Sequence, residues 1–175
     1  MDTQNTLILG GCRSGKSSHA LALANQVPGD RKIFMATSVP TDGEMQERVE
    51  KHIQERGDSW QTAEIPVDIP EKIELLAPDV DVILVDCLTL WVSNLMFNEF
   101  DFQKIFEKTE LLTQVLKKTA CPVIMVSNEV GSGIVPENAL ARKFRDMAGF
   151  VNQKVAAASD RVTLVVAGIP MAVKS

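Results

Sequence analysis

The chain has 175 residues, 45% of them hydrophobic and 23% charged, with a formal net charge of −5. That length suits one domain with a buried core, spanning residues 1–175, and is short for two. The acidic balance excludes a nucleic-acid or anionic-membrane partner held by bulk charge.

The three cysteines, Cys12, Cys87 and Cys121, are widely spaced and form no C-x-x-C. They fit a reducing cytoplasm rather than a disulfide framework. The opening MDTQNTLILGG carries an early acid and a short apolar run, unlike a signal peptide. No apolar stretch approaches the roughly 18 residues of a membrane span. The expected setting is the cytoplasm.

Taken in chain order, short apolar runs predict strands at 6–9, Lys32–Ala36, Val82–Asp86, 122–127 and 162–167. They are mostly continuous rather than alternating, which is how strands buried on both faces of a helix-covered parallel sheet read. Helical patterns fill the gaps at 17–25, 42–56, 102–118 and 138–159. The last carries Leu140, Phe144, Met147, Val151 and Val155 as an apolar stripe. The proline-containing stretch 65–78 is the nearest thing to a linker. The fold class is α/β.

After the first strand comes GGCRSGKS, Gly10 to Ser17, which matches G-x-x-x-x-G-K-[ST] between a strand and a helix. The glycines Gly10 and Gly15 let successive N–H groups turn inward toward phosphate oxygens. The helix that follows adds its positive end. Lys16 reaches the β- and γ-phosphates of a bound triphosphate, and the Ser17 hydroxyl ligates Mg²⁺. The run VILVD ends in Asp86, a second oxygen donor for that ion. His19, three residues beyond Lys16, reads as a packing residue.

The strand at 122–127 runs into NEVGSGIVPEN, which leaves the sheet on the same edge as the phosphate loop. Asn128 and Glu129 are polar groups at the strand tip, and Gly131 and Gly133 permit close approach to a ligand. On the next helix Arg142, Arg145, Asp146 and Gly149 share one face. That face fits a phosphate or a neighbouring subunit, or a solvated surface with an Arg142–Asp146 pair.

Residues 41–57, TDGEMQERVEKHIQERG, begin with the capping-box spelling Thr41-Asp42-Gly43-Glu44 and end on a C-terminal glycine. Met45, Val49 and Ile53 mark the apolar stripe of the predicted helix, and His52 falls within it. On pattern alone two readings stand: a satisfied core histidine, or a nucleophile whose neutral imidazole attacks phosphorus without a separate base.

GGCRSGKS, EMQERVEKH, VDCLTLWVSNL, NEVGSGIVPENALARKFRD and GFVNQ occur in this order. Together they resemble the bifunctional adenosylcobinamide kinase / adenosylcobinamide-phosphate guanylyltransferase family of cobalamin biosynthesis. The resemblance runs from Leu7 to Pro170. It implies a P-loop NTPase fold with a RecA-like, mostly parallel sheet and helices on both faces. It implies two reactions: phosphorylation of adenosylcobinamide by GTP or ATP, then transfer of GMP from GTP to adenosylcobinamide phosphate with release of pyrophosphate. The catalytic residues it implies are His52, guanylylated in the course of reaction, with Lys16 and Asp86. The implied nucleotide contacts are Gly10, Gly11, Cys12, Arg13, Ser14, Gly15, Lys16, Ser17 and Ser18, with Glu64 and Asp86. Ser17 and Asp86 take the Mg²⁺. It further implies a homotrimer with active sites between subunits. Lys51 stands where family members often carry a second histidine. The competing readings are a monofunctional P-loop kinase of a small molecule and a non-catalytic nucleotide-binding module.

Overall fold

The computed structural model describes residues 4–38 and 59–175. The helix expected at 42–56, with His52 and Lys51, lies outside the described residues. Elements are numbered over what is described: β1 (Thr6–Gly10), α1 (Lys16–Asn25), β2 (Lys32–Ala36), β3 (Trp60–Glu64), α2 (Ile69–Leu76), β4 (Val82–Asp86), α3 (Leu88–Phe97), α4 (Phe102–Leu116), β5 (Val123–Asn128), α5 (Ala139–Ala158), β6 (Arg161–Val166) and β7 (Ile169–Lys174).

The strands form one seven-stranded sheet in the order β3-β2-β4-β5-β1-β6-β7. Every pairing is parallel except β6 with β7. The apolar runs have the expected cause. On β4, Ile83 and Val85 enter one core while Val82 and Leu84 enter the other, and β5 divides Val123 and Met125 from Ile124 and Val126 in the same way. A strand with both faces covered has no position left for a polar residue, so its sequence cannot alternate. The larger core gathers side chains of α2, α3, α4 and α5. The smaller lies under α1, where Ala20 and Ala24 meet Phe34, Leu84 and Val126.

Several elements differ from the sequence expectation. The stretch 65–78, given no element from the sequence, holds α2, whose Pro70 sits in the first turn, where no N–H is required of it. Lys108 of α4 donates to Asp68 and Glu71 at the start of that helix. LTLWVSNLMF forms α3, with Leu88, Trp91, Val92 and Leu95 buried, so it shows little polar face. The edge strands β3 and β7 escaped because edges carry few buried side chains; every residue of β7 is exposed. Pro170 is tolerated there because an edge strand leaves one row of N–H groups unpaired. Within α5 the stripe holds for Met147, Val151 and Val155, but Leu140 is exposed and belongs to no core.

At the amino edge of the sheet one residue, just before β1, ties α4, β5 and β6 together. Asn5 is 4% exposed. Its Nδ2 donates to the Leu116 carbonyl at the end of α4 (2.7 Å), and its Oδ1 accepts from Val123 N–H at the start of β5 (3.0 Å). Its own carbonyl accepts from Asp160 and Arg161 at the start of β6. Replacing Asn5 by alanine leaves a buried carbonyl and a buried N–H unpaired. The expected loss is about 2–4 kcal/mol of unfolding free energy, read as a lower urea midpoint with an unaltered slope.

Candidate active site

The parallel strands deliver their carboxyl ends to one edge, where ligands of open α/β sheets bind. β1 lies between β5 and β6 and ends at Gly10, which pairs with Asn128 of β5. The chain then turns through Gly11 to Gly15 into α1. Gly15 is the N-cap residue of α1 at φ 91°, and Arg13 lies at φ 54°. No side chain caps this helix and no acid stands in its first turn. Its leading N–H groups are therefore left for another acceptor.

Both loop glycines have a steric reason. A Cβ at Gly10 would lie 2.4 Å from Ser14 Oγ and 2.7 Å from the Val165 carbonyl. A Cβ at Gly15 would lie 3.2 Å from Gly168 Cα, at a φ that side chains rarely adopt. The second contact shows a support that the sequence concealed. β6 and β7 join through Ala167 and Gly168, both at positive φ, a two-residue hairpin turn. Gly168 N–H donates to the Ser14 carbonyl at 2.8 Å, so this turn braces the phosphate loop from 154 residues further along the chain. The Lys16 ammonium donates to the Gly11 carbonyl at 3.1 Å and so arches over the loop. Ser14 Oγ is buried and has no hydrogen-bond partner among the described residues.

A cleft of about 640 Å³ opens beside this loop. It is lined by Cys12, Arg13, Lys16 and Ser17 of the loop and α1, by Asp86 and Cys87 after β4, and by Asn128, Glu129, Val130 and Gly133 after β5, the strand between them. The predicted loop, Asp86 and the glycine-containing second loop thus meet. Ser17 and Asp86 open onto the same cleft as hard oxygen donors, which suits Mg²⁺ with water and phosphate oxygens completing its shell. No cluster of three or more His, Cys, Asp or Glu at metal-binding distance occurs among the described residues.

Other predicted residues stand apart. Ser18 is exposed on α1 and does not line the cleft. Glu64 ends the edge strand β3, exposed and separated from β4 by β2. His19 is half-buried on α1, as a packing residue would be. The Arg142 guanidinium donates to the carbonyls of Pro136 (3.0 Å) and Glu137 (2.5 Å), so it fastens the second loop.

Three polar residues that sequence reasoning missed hold the backbone of Cys87 and Asn128 beside the cleft. Thr37, fully buried at the tip of β2, accepts from Cys87 N–H at 2.7 Å and donates to the Cys87 carbonyl at 2.9 Å. Its own N–H donates to the Asp86 carbonyl. Thr89 of α3 accepts from Asn128 N–H at 2.6 Å and pairs with the Ser127 hydroxyl. Asn152 of α5 donates to the Asn128 carbonyl at 3.1 Å. The only available signal was a polar residue beside or within an apolar pattern. The Cys87 thiol, pushed up to about 11 by burial with the Asp86 charge adding to it, stays protonated at neutral pH.

With this geometry in hand, the family model described as "Cobinamide kinase / cobinamide phosphate guanyltransferase" matches residues 6–173. The chain belongs to this family. It is 42% identical to the "Bifunctional adenosylcobalamin biosynthesis protein CobU" of Salmonella typhimurium, over 96% of this chain and 98% of that one. It is 41% identical to the protein of the same name from Escherichia coli, over 96% and 98%. Among solved structures the RadB recombinase superposes with a TM-score of 0.53 at 17% identity, over 93% of this chain and 74% of that one. That likeness shows the P-loop, RecA-like fold of this family member. No helix among the described residues is long and apolar enough to cross a membrane.

The cleft gives a thiol test. Cys12 is exposed beside Lys16, whereas Cys87 and Cys121 are buried and both pushed up to about 11 by burial. At pH 8 a disulfide reagent should titrate Cys12 rapidly in the native protein and all three thiols after denaturation. A triphosphate with Mg²⁺ should slow the Cys12 reaction.

Proposed function

We propose that this family member carries out both reactions of its family. It phosphorylates the hydroxyl of adenosylcobinamide with GTP or ATP, and then transfers GMP from GTP to adenosylcobinamide phosphate. The observation that carries the reading is the single cleft in which the phosphate loop, Asp86 and the β5 tip converge. Phosphoryl transfer asks a protein mainly for positioning and charge stabilisation, and these walls supply both.

In the first reaction the loop N–H groups and the α1 terminus hold the β- and γ-phosphates. Lys16, drawn off the Gly11 carbonyl, reaches the γ-phosphate, and Arg13 steadies charge on the leaving diphosphate. Mg²⁺, held by Ser17 and Asp86, would withdraw charge from the phosphate oxygens. In the second reaction the His52 imidazole attacks the α-phosphorus of GTP and pyrophosphate leaves. An oxygen of adenosylcobinamide phosphate then attacks the phosphoramidate and frees His52. Splitting one displacement between two anions into two steps lowers each barrier. His52 belongs to the segment outside the described residues, so its role rests on the family resemblance and on the electrophile the loop would present.

We place the enzyme in the cytoplasm, as three free thiols suit. We also propose a homotrimer. Its support is the edge strand β7, which exposes Ile169, Met171 and Val173. An uncovered apolar edge is a natural surface for association.

The covalent step is tested with GTP labelled at the α-phosphate. Denatured protein should retain label that is acid-labile and alkali-stable, and His52→Ala should retain none. Equal labelling of the variant, or none of the wild type, would sink the His52 nucleophile. For assembly, light scattering should give three times the chain mass, and Met171→Glu combined with Val173→Lys should give the monomer.

A further inference from the structure

We propose that Glu129 is the general base of the kinase reaction and of that reaction alone. The proposal rests on the bifunctional reading above and assigns one of its steps. The two reactions place different acceptors in the cleft. The first acceptor is an alcohol, whose O–H proton must leave as the O–P bond forms. The second is a phosphate monoester with a second pKa of about 6, already ionised at neutral pH and with no proton to give up. One cleft therefore needs a base for one of its two reactions.

Among the described residues, the carboxylates lining the cleft are Asp86 and Glu129. Asp86 lines the cleft with Ser17, and the two would hold the Mg²⁺, which would leave that carboxylate engaged with the ion rather than with an acceptor hydroxyl. Glu129 lines the same cleft and is exposed to an incoming hydroxyl. It follows directly on β5, the strand between β1 and β4, so it reaches the edge between the phosphate loop and Asp86.

Its setting is built. The Glu129 N–H donates to the Gly10 carbonyl at 3.1 Å, which ties it to the first residue of the phosphate loop. Glu129 Oε1 accepts from Gly131 N–H at 2.7 Å. A Cβ at Gly131 would lie 2.8 Å from that same oxygen, so a side chain there would push the carboxylate aside. One oxygen is thus pinned by the backbone, and the other is left to take a proton. This also accounts for the spelling Asn-Glu-Val-Gly.

In the step, the acceptor O–H bond breaks and its proton passes to Glu129 Oε2. The freed electron pair forms the bond to the γ-phosphorus. The bridging oxygen leaves with the nucleoside diphosphate, and Glu129 later returns the proton to water.

Glu129→Gln keeps an oxygen for Gly131 N–H and nearly the same volume, but cannot take up the proton. The ratio of kinase rate on adenosylcobinamide to guanylyl-transfer rate on preformed adenosylcobinamide phosphate should fall about 10²-fold or more, the usual worth of a positioned base. The acidic limb of the wild-type kinase kcat profile should vanish in the variant. Glu129→Asp, shorter but still basic, should recover part of the ratio and the acidic limb. A ratio within about threefold of wild type would overturn the assignment, as would equal loss of both reactions, which would mark Glu129 as a loop anchor. A wild-type chain that transfers guanylyl but shows no kinase activity would instead overturn the bifunctional reading, and the assignment with it.

Discussion

The hydrogen bond from Glu129 N–H to the Gly10 carbonyl extends the β1–β5 ladder one rung past the strands. It ties together the starts of the two loops that line the cleft. The phosphate loop begins at Gly10, and the second loop begins at Glu129. Because β5 lies between β1 and β4, the phosphate loop and Asp86 flank it on either side, with Asp86 paired to Val126 of β5. The neighbouring backbone is held as firmly: Thr89 takes the Asn128 N–H, Asn152 the Asn128 carbonyl, and Thr37 both backbone groups of Cys87. Catalytic groups must keep their spacing to a fraction of an ångström. Here that is achieved by backbone hydrogen bonds rather than by the side chains that would react.

The same edge gives up stability. The bare start of α1 forgoes a side-chain cap worth about 1 kcal/mol. Ser14 Oγ and Asn152 Oδ1 are buried without partners among the described residues, each a cost of about 1–3 kcal/mol. At the opposite, amino edge Asn5 satisfies every polar group it touches. A helix start stripped of its cap is what a phosphate requires, since a resident carboxylate would compete for the same N–H groups. The two edges of one sheet thus follow opposite rules, one closed for stability and one left open for an anion.

What the sequence showed depended on how local the cause was. The 10–17 loop and Asp86 were legible because each is a short pattern with a direct chemical reason. The parallel sheet was legible because burial on both faces removes alternation from Leu84 and its neighbours. β7 was not, since an exposed edge strand leaves no burial pattern. The bracing of the phosphate loop by Gly168 was invisible for a different reason: a glycine late in the chain carries no sign of what its N–H will meet. Thr37 and Asn152 looked like minor interruptions because a buried polar residue takes its meaning from a partner distant in sequence. Glu129 was visible as a polar group at a strand tip, but its attachment to Gly10 and Gly131 needed the fold.

That attachment bears on how one cleft serves two acceptors. A hydroxyl is a poor nucleophile that a carboxylate improves by removing its proton. A phosphate is already an anion, and a carboxylate beside it raises the energy of its approach. The two needs conflict unless the base and the second attack are separated. The nucleophilic histidine proposed above would provide that separation, because it would move the reacting phosphorus from the loop onto a side chain before the anionic acceptor arrives. On this view the pinned carboxylate and the imidazole are two halves of one solution. Under the proposed scheme Glu129 would let the cleft handle an alcohol, and a guanylylated His52 would let the phosphate made there react without needing a base.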